Sequence, residues 1–126
     1  MREAIRTDSG PAPKGAYSQA IVCRGRQVYI AGQGPLDPAT GVLTGTTFEE
    51  QAVLTLDNLK AVAAAAGASM RDFVKVNAYL SDMGNFAQFN EIYRRYFEEP
   101  YPARTTVHSA LPGFLIEIDG IAILPD

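Results

Sequence analysis

Two stretches decide how this chain reads: Pro102-Ala103-Arg104-Thr105-Thr106-Val107 and, beyond the turn Leu111-Pro112-Gly113, Ile116-Glu117-Ile118-Asp119-Gly120-Ile121-Ala122. Both read as strands, near 103–110 and 115–123. Side chains alternate across a strand, so Arg104, Thr106 and His108 share one face, and Glu117, Asp119 and Ile121 share another. If the two strands pair, a guanidinium fork and an acid line one cleft. Arginine there suits a substrate carboxylate, which it grips with two parallel charge-assisted hydrogen bonds. A nearby glutamate suits a water molecule or a proton. The expectation is hydrolysis of a small anionic substrate.

Working outward, residues 10–15 (Gly-Pro-Ala-Pro-Lys-Gly) form a rigid polar connector after a possible short first strand. Residues 16–24 and 27–32 read as strands, and Arg24-Gly25-Arg26 between them predicts a hairpin. Gly32-Gln33-Gly34-Pro35 ends the second of these. A first helix begins at Thr47, which with Glu50 has the capping-box spacing. Phe48, Ala52, Leu56, Leu59, Ala63 and Ala66 follow at helical intervals, and Gly67 supplies a stop. A strand is expected over 73–80. A second helix is expected from Asn85 to Glu98, with Phe86, Phe89, Tyr93 and Phe97 as one stripe and Pro100 beyond its end.

The order is two or three strands, helix, strand, helix, two strands: an α+β arrangement in a single domain, 1–126. Two helices cover only one face of such a sheet. The other face, expected to carry Arg104, Thr106, Glu117 and Ile121, needs cover, and self-association supplies it. A cleft between subunits is then a natural place for polar groups.

Composition narrows the function. The net charge of −3 and pI of about 5.1 provide no basic field for nucleic acid. One cysteine, Cys23, makes no internal disulfide, and with the one histidine it builds no Cys/His zinc site. The charged N-terminus lacks the apolar core of a signal peptide, and no apolar run reaches membrane-spanning length. The expectation is a cytoplasmic protein with no membrane and no metal.

The chain resembles the Rid (YjgF) family of reactive-intermediate deaminases from end to end. The matching pieces are Gly15-Ala16-Tyr17-Ser18-Gln19-Ala20, Ala31-Gly32-Gln33, Leu56-Asp57-Asn58-Leu59 and Ala65-Ala66-Gly67. They continue with Val74-Lys75-Val76, Phe86-Ala87-Gln88-Phe89-Asn90, Pro102-Ala103-Arg104 and Ile116-Glu117-Ile118. The Pro-Ala-Arg and Ile-Glu-Ile segments, in that order, are the specific ones.

The resemblance implies a chorismate-mutase-like fold, a mixed sheet with two helices on one face, assembled as a homotrimer with clefts between neighbours. It implies hydrolysis of 2-imino acids, or their enamine tautomers such as 2-aminoacrylate, to 2-keto acids and ammonia, without metal or organic cofactor. By the same resemblance Arg104 holds the substrate carboxylate and Glu117 orients the attacking water. Tyr17 lines the cleft, Gly32 offers its N–H, and Asn90, with Phe86 and Phe89 nearby in sequence, stands at the subunit boundary or cleft wall. Thr106 is a substrate-binding position where the family often has Cys, a departure that matters less if the position serves through its backbone N–H. Ala31 replaces a usual Ser, removing a hydroxyl, and the stretch between Arg104 and Glu117 is shortened.

Other readings stand beside this one. They are a dedicated-pathway deaminase of an aminoacrylate- or aminomuconate-like compound, a ribonuclease of the kind also ascribed to the family, or a non-catalytic chaperone trimer. Arg104 could pair with a neighbour's acid and Glu117 with a cross-strand base. His108 is read as exposed, Cys23 as packed, Asp119 as solvated or paired, and the aromatic stripe mainly as core. Arg94-Arg95 is too small a cluster to argue RNA binding.

Overall fold

The computed structural model describes residues 1–125. Its elements run β1 (Arg2–Ile5), β2 (Ala20–Cys23), β3 (Gln27–Gln33), α1 (Phe48–Ala65), β4 (Phe73–Leu80), α2 (Phe86–Tyr93), β5 (Ala103–His108) and β6 (Ile116–Ile123). Two helices pack on a mixed sheet, an α+β architecture.

α1 starts where its sequence directs. Thr47 accepts from the Glu50 amide at 3.1 Å, and the Glu50 carboxylate accepts from the Thr47 amide at 3.0 Å. Those bonds hold the Glu50 carboxyl below its ordinary range, the amide bond from Thr47 foremost. Phe48, Ala52, Thr55, Leu56, Leu59 and Ala63 form its buried face, and Gly67 follows in a left-handed conformation, φ 89°. α2 is shorter than the aromatic stripe predicts: it stops at Tyr93, and turns carry the chain through Tyr96. Phe89, Tyr93 and Phe97 are nonetheless buried, Tyr93 stacking on Phe97 with centroids 4.3 Å apart. A turn can bury an aromatic as well as a helix can, so periodicity located the core and overran the helix.

The main sheet has the order β3-β6-β4-β5, with β4 and β5 parallel and the other pairs antiparallel. Two expectations are corrected here. The Arg24-Gly25-Arg26 turn does not close a hairpin: β2 pairs with β1 in a separate ribbon, and β3 pairs with β6. Of the expected strand 16–24 only Ala20–Cys23 is extended. Nor do β5 and β6 pair, because β4 lies between them. The strand ends are otherwise trimmed by a residue or two at His108 and Ile116.

Alternation along β4 defines the two faces. Val76, Ala78 and Leu80 are fully buried against the helices, with Ile116, Ile118 and Ala122 of β6 beside them. Burying the valine, leucine and isoleucine side chains among them contributes roughly 1.5–3 kcal/mol each. Lys75, Asn77 and Tyr79 point the other way, with Thr105, Glu117, Asp119 and Ile121. No helix among the described residues covers that second face; Tyr29 on it is 70% exposed and Val107 42%. The β1–β2 ribbon is tied down by Arg2, which donates to the carbonyls of Phe73 at 2.9 Å and Pro100 at 2.7 Å.

Candidate functional site

Arg104 sits on β5 opposite Val76, so its side chain leaves the sheet on the helix side. Glu117 sits on β6 opposite Tyr79, so it leaves on the open side. The expectation that Arg104, Thr106 and Glu117 share the uncovered face is therefore overturned. With β4 inserted between β5 and β6, the register gives Arg104 and Glu117 opposite parity. One chain presents two half-sites.

The arginine half-site is an aromatic box. The guanidinium carbon lies 4.8 Å from the ring centre of Tyr93, 5.3 Å from Phe89, 5.6 Å from Tyr17 and 6.0 Å from Phe86. Negative ring faces attract a cation, by about 2 kcal/mol where water is excluded. Burial lowers the Arg104 pKa, Tyr93 and Tyr17 oppose that, and nearby Arg94 adds to it; an arginine remains charged through such shifts. Among the described residues no carboxylate pairs with this cation. Its Nη1 is buried without a hydrogen-bond partner.

Neighbouring polar atoms share that lack of a partner. Five buried side-chain polar atoms lack partners among the described residues, and four of them belong to Arg104, Thr106, Asn90 and Tyr93. Thr106 follows Arg104 on the same face of β5. Asn90 and Arg104 both approach Gly15, where an added Cβ would stand 3.5 Å from Arg104 Nη2 and 3.8 Å from Asn90 Oδ1. Burial raises the Tyr93 phenol pKa strongly, keeping it a neutral donor. Buried polar atoms normally find partners, so these four mark where a ligand, a water or a neighbouring subunit would supply them. The chemistry offered is a planar cation with a hydroxyl, an amide and a phenol around it.

Tyr17 is held in place by the turn it follows: its hydroxyl accepts from the Lys14 amide at 3.2 Å. The Ser18 amide donates to the Pro102 carbonyl at 3.1 Å, and the Ser18 hydroxyl to the Tyr101 carbonyl, fastening this loop along β5.

The acid half-site is Glu117 with Gly32. Residues 31–32 fall in a register shift of β3, outside its regular pairing with β6. There the Glu117 carboxylate crosses Gly32 so closely that an added Cβ would lie 2.5 Å from Oε2. The absence of a Cβ at Gly32 is what lets the carboxylate rest there; a side chain would push it aside. The loop beyond is pinned by Asn58, which donates to the carbonyls of Gly34 at 3.0 Å and Leu36 at 2.8 Å. Ala31 is exposed and brings no hydroxyl. Beside Glu117, Asp119 accepts from Asn77 at 2.8 Å and from the Tyr79 hydroxyl at 2.9 Å, and the second bond raises the Tyr79 pKa.

The structure thus groups Tyr17, Phe86, Asn90, Arg104 and Thr106 in one half-site and Gly32 with Glu117 in the other. Phe89, expected beside Asn90 and Phe86, also faces the guanidinium; sequence reasoning missed Tyr93, which was assigned to the core although its spacing from Phe86 and Phe89 was the available signal. It missed Tyr79 beside Glu117, which the alternation of β4 would have exposed. His108 and Cys23 join neither group; His108 is exposed, and Cys23 is half-buried opposite Arg2.

No described helix is long and apolar enough to cross a membrane, and no group of three metal-ligating side chains occurs among the described residues. The profile of the family described as Endoribonuclease L-PSP matches residues 7–124. A RutC family protein of Pyrococcus horikoshii is 48% identical over 97% of this chain and 98% of its own length. A 2-iminobutanoate/2-iminopropanoate deaminase of Rattus norvegicus is 40% identical over 98% of this chain and 90% of its own. The crystal structure of RidA from an Antarctic Psychrobacter species superposes with a TM-score of 0.74 at 44% identity, covering 97% of this chain and 99% of that one. The chain belongs to the endoribonuclease L-PSP family, the Rid (YjgF) family of the sequence resemblance.

Proposed function

We propose that this family member is a hydrolytic deaminase of small 2-imino acids, working in clefts where the arginine half-site of one subunit meets the acid half-site of another in a homotrimer. The observation that carries this reading is the unpaired Arg104 cation amid the unsatisfied atoms of Asn90, Tyr93 and Thr106. A carboxylate supplies the acceptor that Arg104 Nη1 and the Tyr93 and Thr106 hydroxyls lack, and Asn90 Oδ1 is left to accept from a substrate N–H. The name of the rat relative supports the imine as the reacting group.

Arg104 grips the substrate carboxylate with two charge-assisted bonds, and Tyr17 and Phe86 wall it in. The C=N carbon is then fixed over the facing subunit's Glu117 and Gly32. Glu117 takes a proton from a bound water as its oxygen bonds to that carbon, giving a carbinolamine. The proton passes from Glu117 to nitrogen, Glu117 takes up the hydroxyl proton as the C=O bond forms and the C–N bond breaks, and ammonia leaves with the 2-keto acid. Protonated imines are already electrophilic, so positioning and proton handling suffice. An enamine enters the same path after protonation at its β-carbon. The Tyr29 and Val107 side chains on the open sheet face give the subunits an apolar surface to share.

The test is 2-keto acid release from freshly generated 2-aminoacrylate and longer 2-imino acids, comparing wild type with Arg104→Ala. Acceleration by wild type alone supports the reading. Absence of acceleration from a correctly assembled protein overturns it and favours the dedicated-substrate reading, to which exposed Ala31 already points. RNA cleavage or chaperone action that survives Arg104→Ala would place function outside these clefts.

A further inference from the structure

Arg94-Arg95 is a pair in the sequence and part of a larger group in the fold. Behind the α2 C-terminus lies a groove of about 380 Å³ whose rim carries Lys60 from α1, Arg71 from the 3-10 turn Met70–Asp72, and Arg94 and Arg95. Glu98 is the one carboxylate among its lining residues. Glu98 pairs with Arg71 at 2.8 Å, and Arg95 reaches outside the groove to Glu49 at 3.0 Å. Both pairs are exposed and therefore weak, so they are easily exchanged for a ligand. Lys60 and Arg94 have no ion-pair partner among the described residues. The floor includes buried Phe97 and half-buried Tyr96 and Met70.

Arg71 and Arg95 each have one exposed carboxylate partner, whereas Lys60 and Arg94 have none among the described residues, so the groove keeps an excess of positive charge. Arg94 is also close enough to act on Arg104, and its amide bonds the carbonyl of Asn90 one turn earlier on α2. The volume lies in the range of small-molecule pockets. Guanidinium forks and an ammonium match a phosphate, which brings about two negative charges and three acceptor oxygens. The aromatic and thioether floor suits an organic portion.

We propose that this groove, formed by Lys60, Arg71, Arg94 and Arg95, binds a small phosphomonoester. It is separate from the imine chemistry assigned to Arg104.

Isothermal titration calorimetry at low salt, with adenosine 5′-monophosphate and inorganic pyrophosphate as probes and adenosine as control, tests it. Saturable binding of the phosphate-bearing probes is expected, weakened at least tenfold by Lys60→Glu or Arg94→Glu and unchanged by Arg104→Ala. Should a charge reversal disturb folding, as judged by circular dichroism, Lys60→Ala and Arg94→Gln replace it with the same direction of effect. The proposal is overturned by absence of saturable binding, or by binding lost in Arg104→Ala and kept in the groove variants. Equal affinity for adenosine, or binding of an RNA oligonucleotide without the monophosphate, also overturns it.

Discussion

Arg104 and Glu117 stand on opposite faces of one sheet, two strands apart, with β4 between them: Arg104 lies opposite Val76 among the helices, and Glu117 opposite Tyr79 on the open side. No side-chain rotation within one chain brings the guanidinium and the carboxylate into one cleft. The proposed reaction therefore depends on assembly, because each chain brings both halves without joining them.

That dependence predicts complementation. Arg104→Ala and Glu117→Gln should each be inactive alone. Refolded together at equal amounts, random assembly leaves about a quarter of two-subunit sites with both native groups. Keto-acid release near that fraction of wild type is the expected outcome; a mixture as inactive as its components would sink the two-subunit site.

Arg104→Lys should lose activity although it keeps the charge. A lysine ammonium cannot form the paired bonds of the guanidinium fork. Removing such charge-assisted bonding at about 1.5–3 kcal/mol per bond corresponds to roughly a hundredfold fall in kcat/KM for 2-aminoacrylate. Activity within a few-fold of wild type would mean that the arginine does not hold the carboxylate.

Gly32→Ala separates catalysis from folding. The atom it would strike is Glu117 Oε2, the free end of a flexible side chain. The acid can swing away at little cost to the fold, and melting temperature should hold within a few degrees, corresponding to less than about 1 kcal/mol. Catalysis should fall at least tenfold, since Glu117 loses its position. Full activity in Gly32→Ala would show that the carboxylate need not rest there.

Alkaline pH should destabilise the fold through its tyrosines. Burial, then the bond to Asp57, pushes Tyr96 up to about 12, and burial also raises Tyr93. The unfolded chain loses these protons near pH 10 while the folded chain keeps them, so the unfolded state then binds fewer protons. Stability is thus fully present below about pH 10 and declines as pH rises through the folded values. Thermal melts should show that decline, with a shallower slope in Tyr96→Phe. An identical slope in the variant would remove Tyr96 from the explanation.

Asp119 should matter to local order more than to chemistry. Its two oxygens hold Asn77 and Tyr79 beside Glu117. Asp119→Ala frees both donors at a partly buried site, with an expected loss of about 1–3 kcal/mol in denaturant unfolding. Unchanged stability would show that water replaces the carboxylate.

The sequence alone determined what depends on neighbours along the chain. The Thr47–Glu50 capping box spans three residues, the α1 stripe recurs every turn, and the alternation of β4 marks a strand from Phe73 to Leu80. Arg104, Glu117, Tyr17, Gly32, Phe86, Asn90 and Thr106 were all singled out by their motifs. Pairing was not legible, because strand order rests on contacts between residues far apart in the chain. Arg24-Gly25-Arg26 looks like a hairpin turn, yet β3 finds β6 instead, where Ile30 can reach the core. Inserting β4 between β5 and β6 then reversed the relative parity of Arg104 and Glu117. Sequence named the residues of the proposed chemistry; only the tertiary structure decided that one chain holds them apart, since side-chain parity is local and strand order is not.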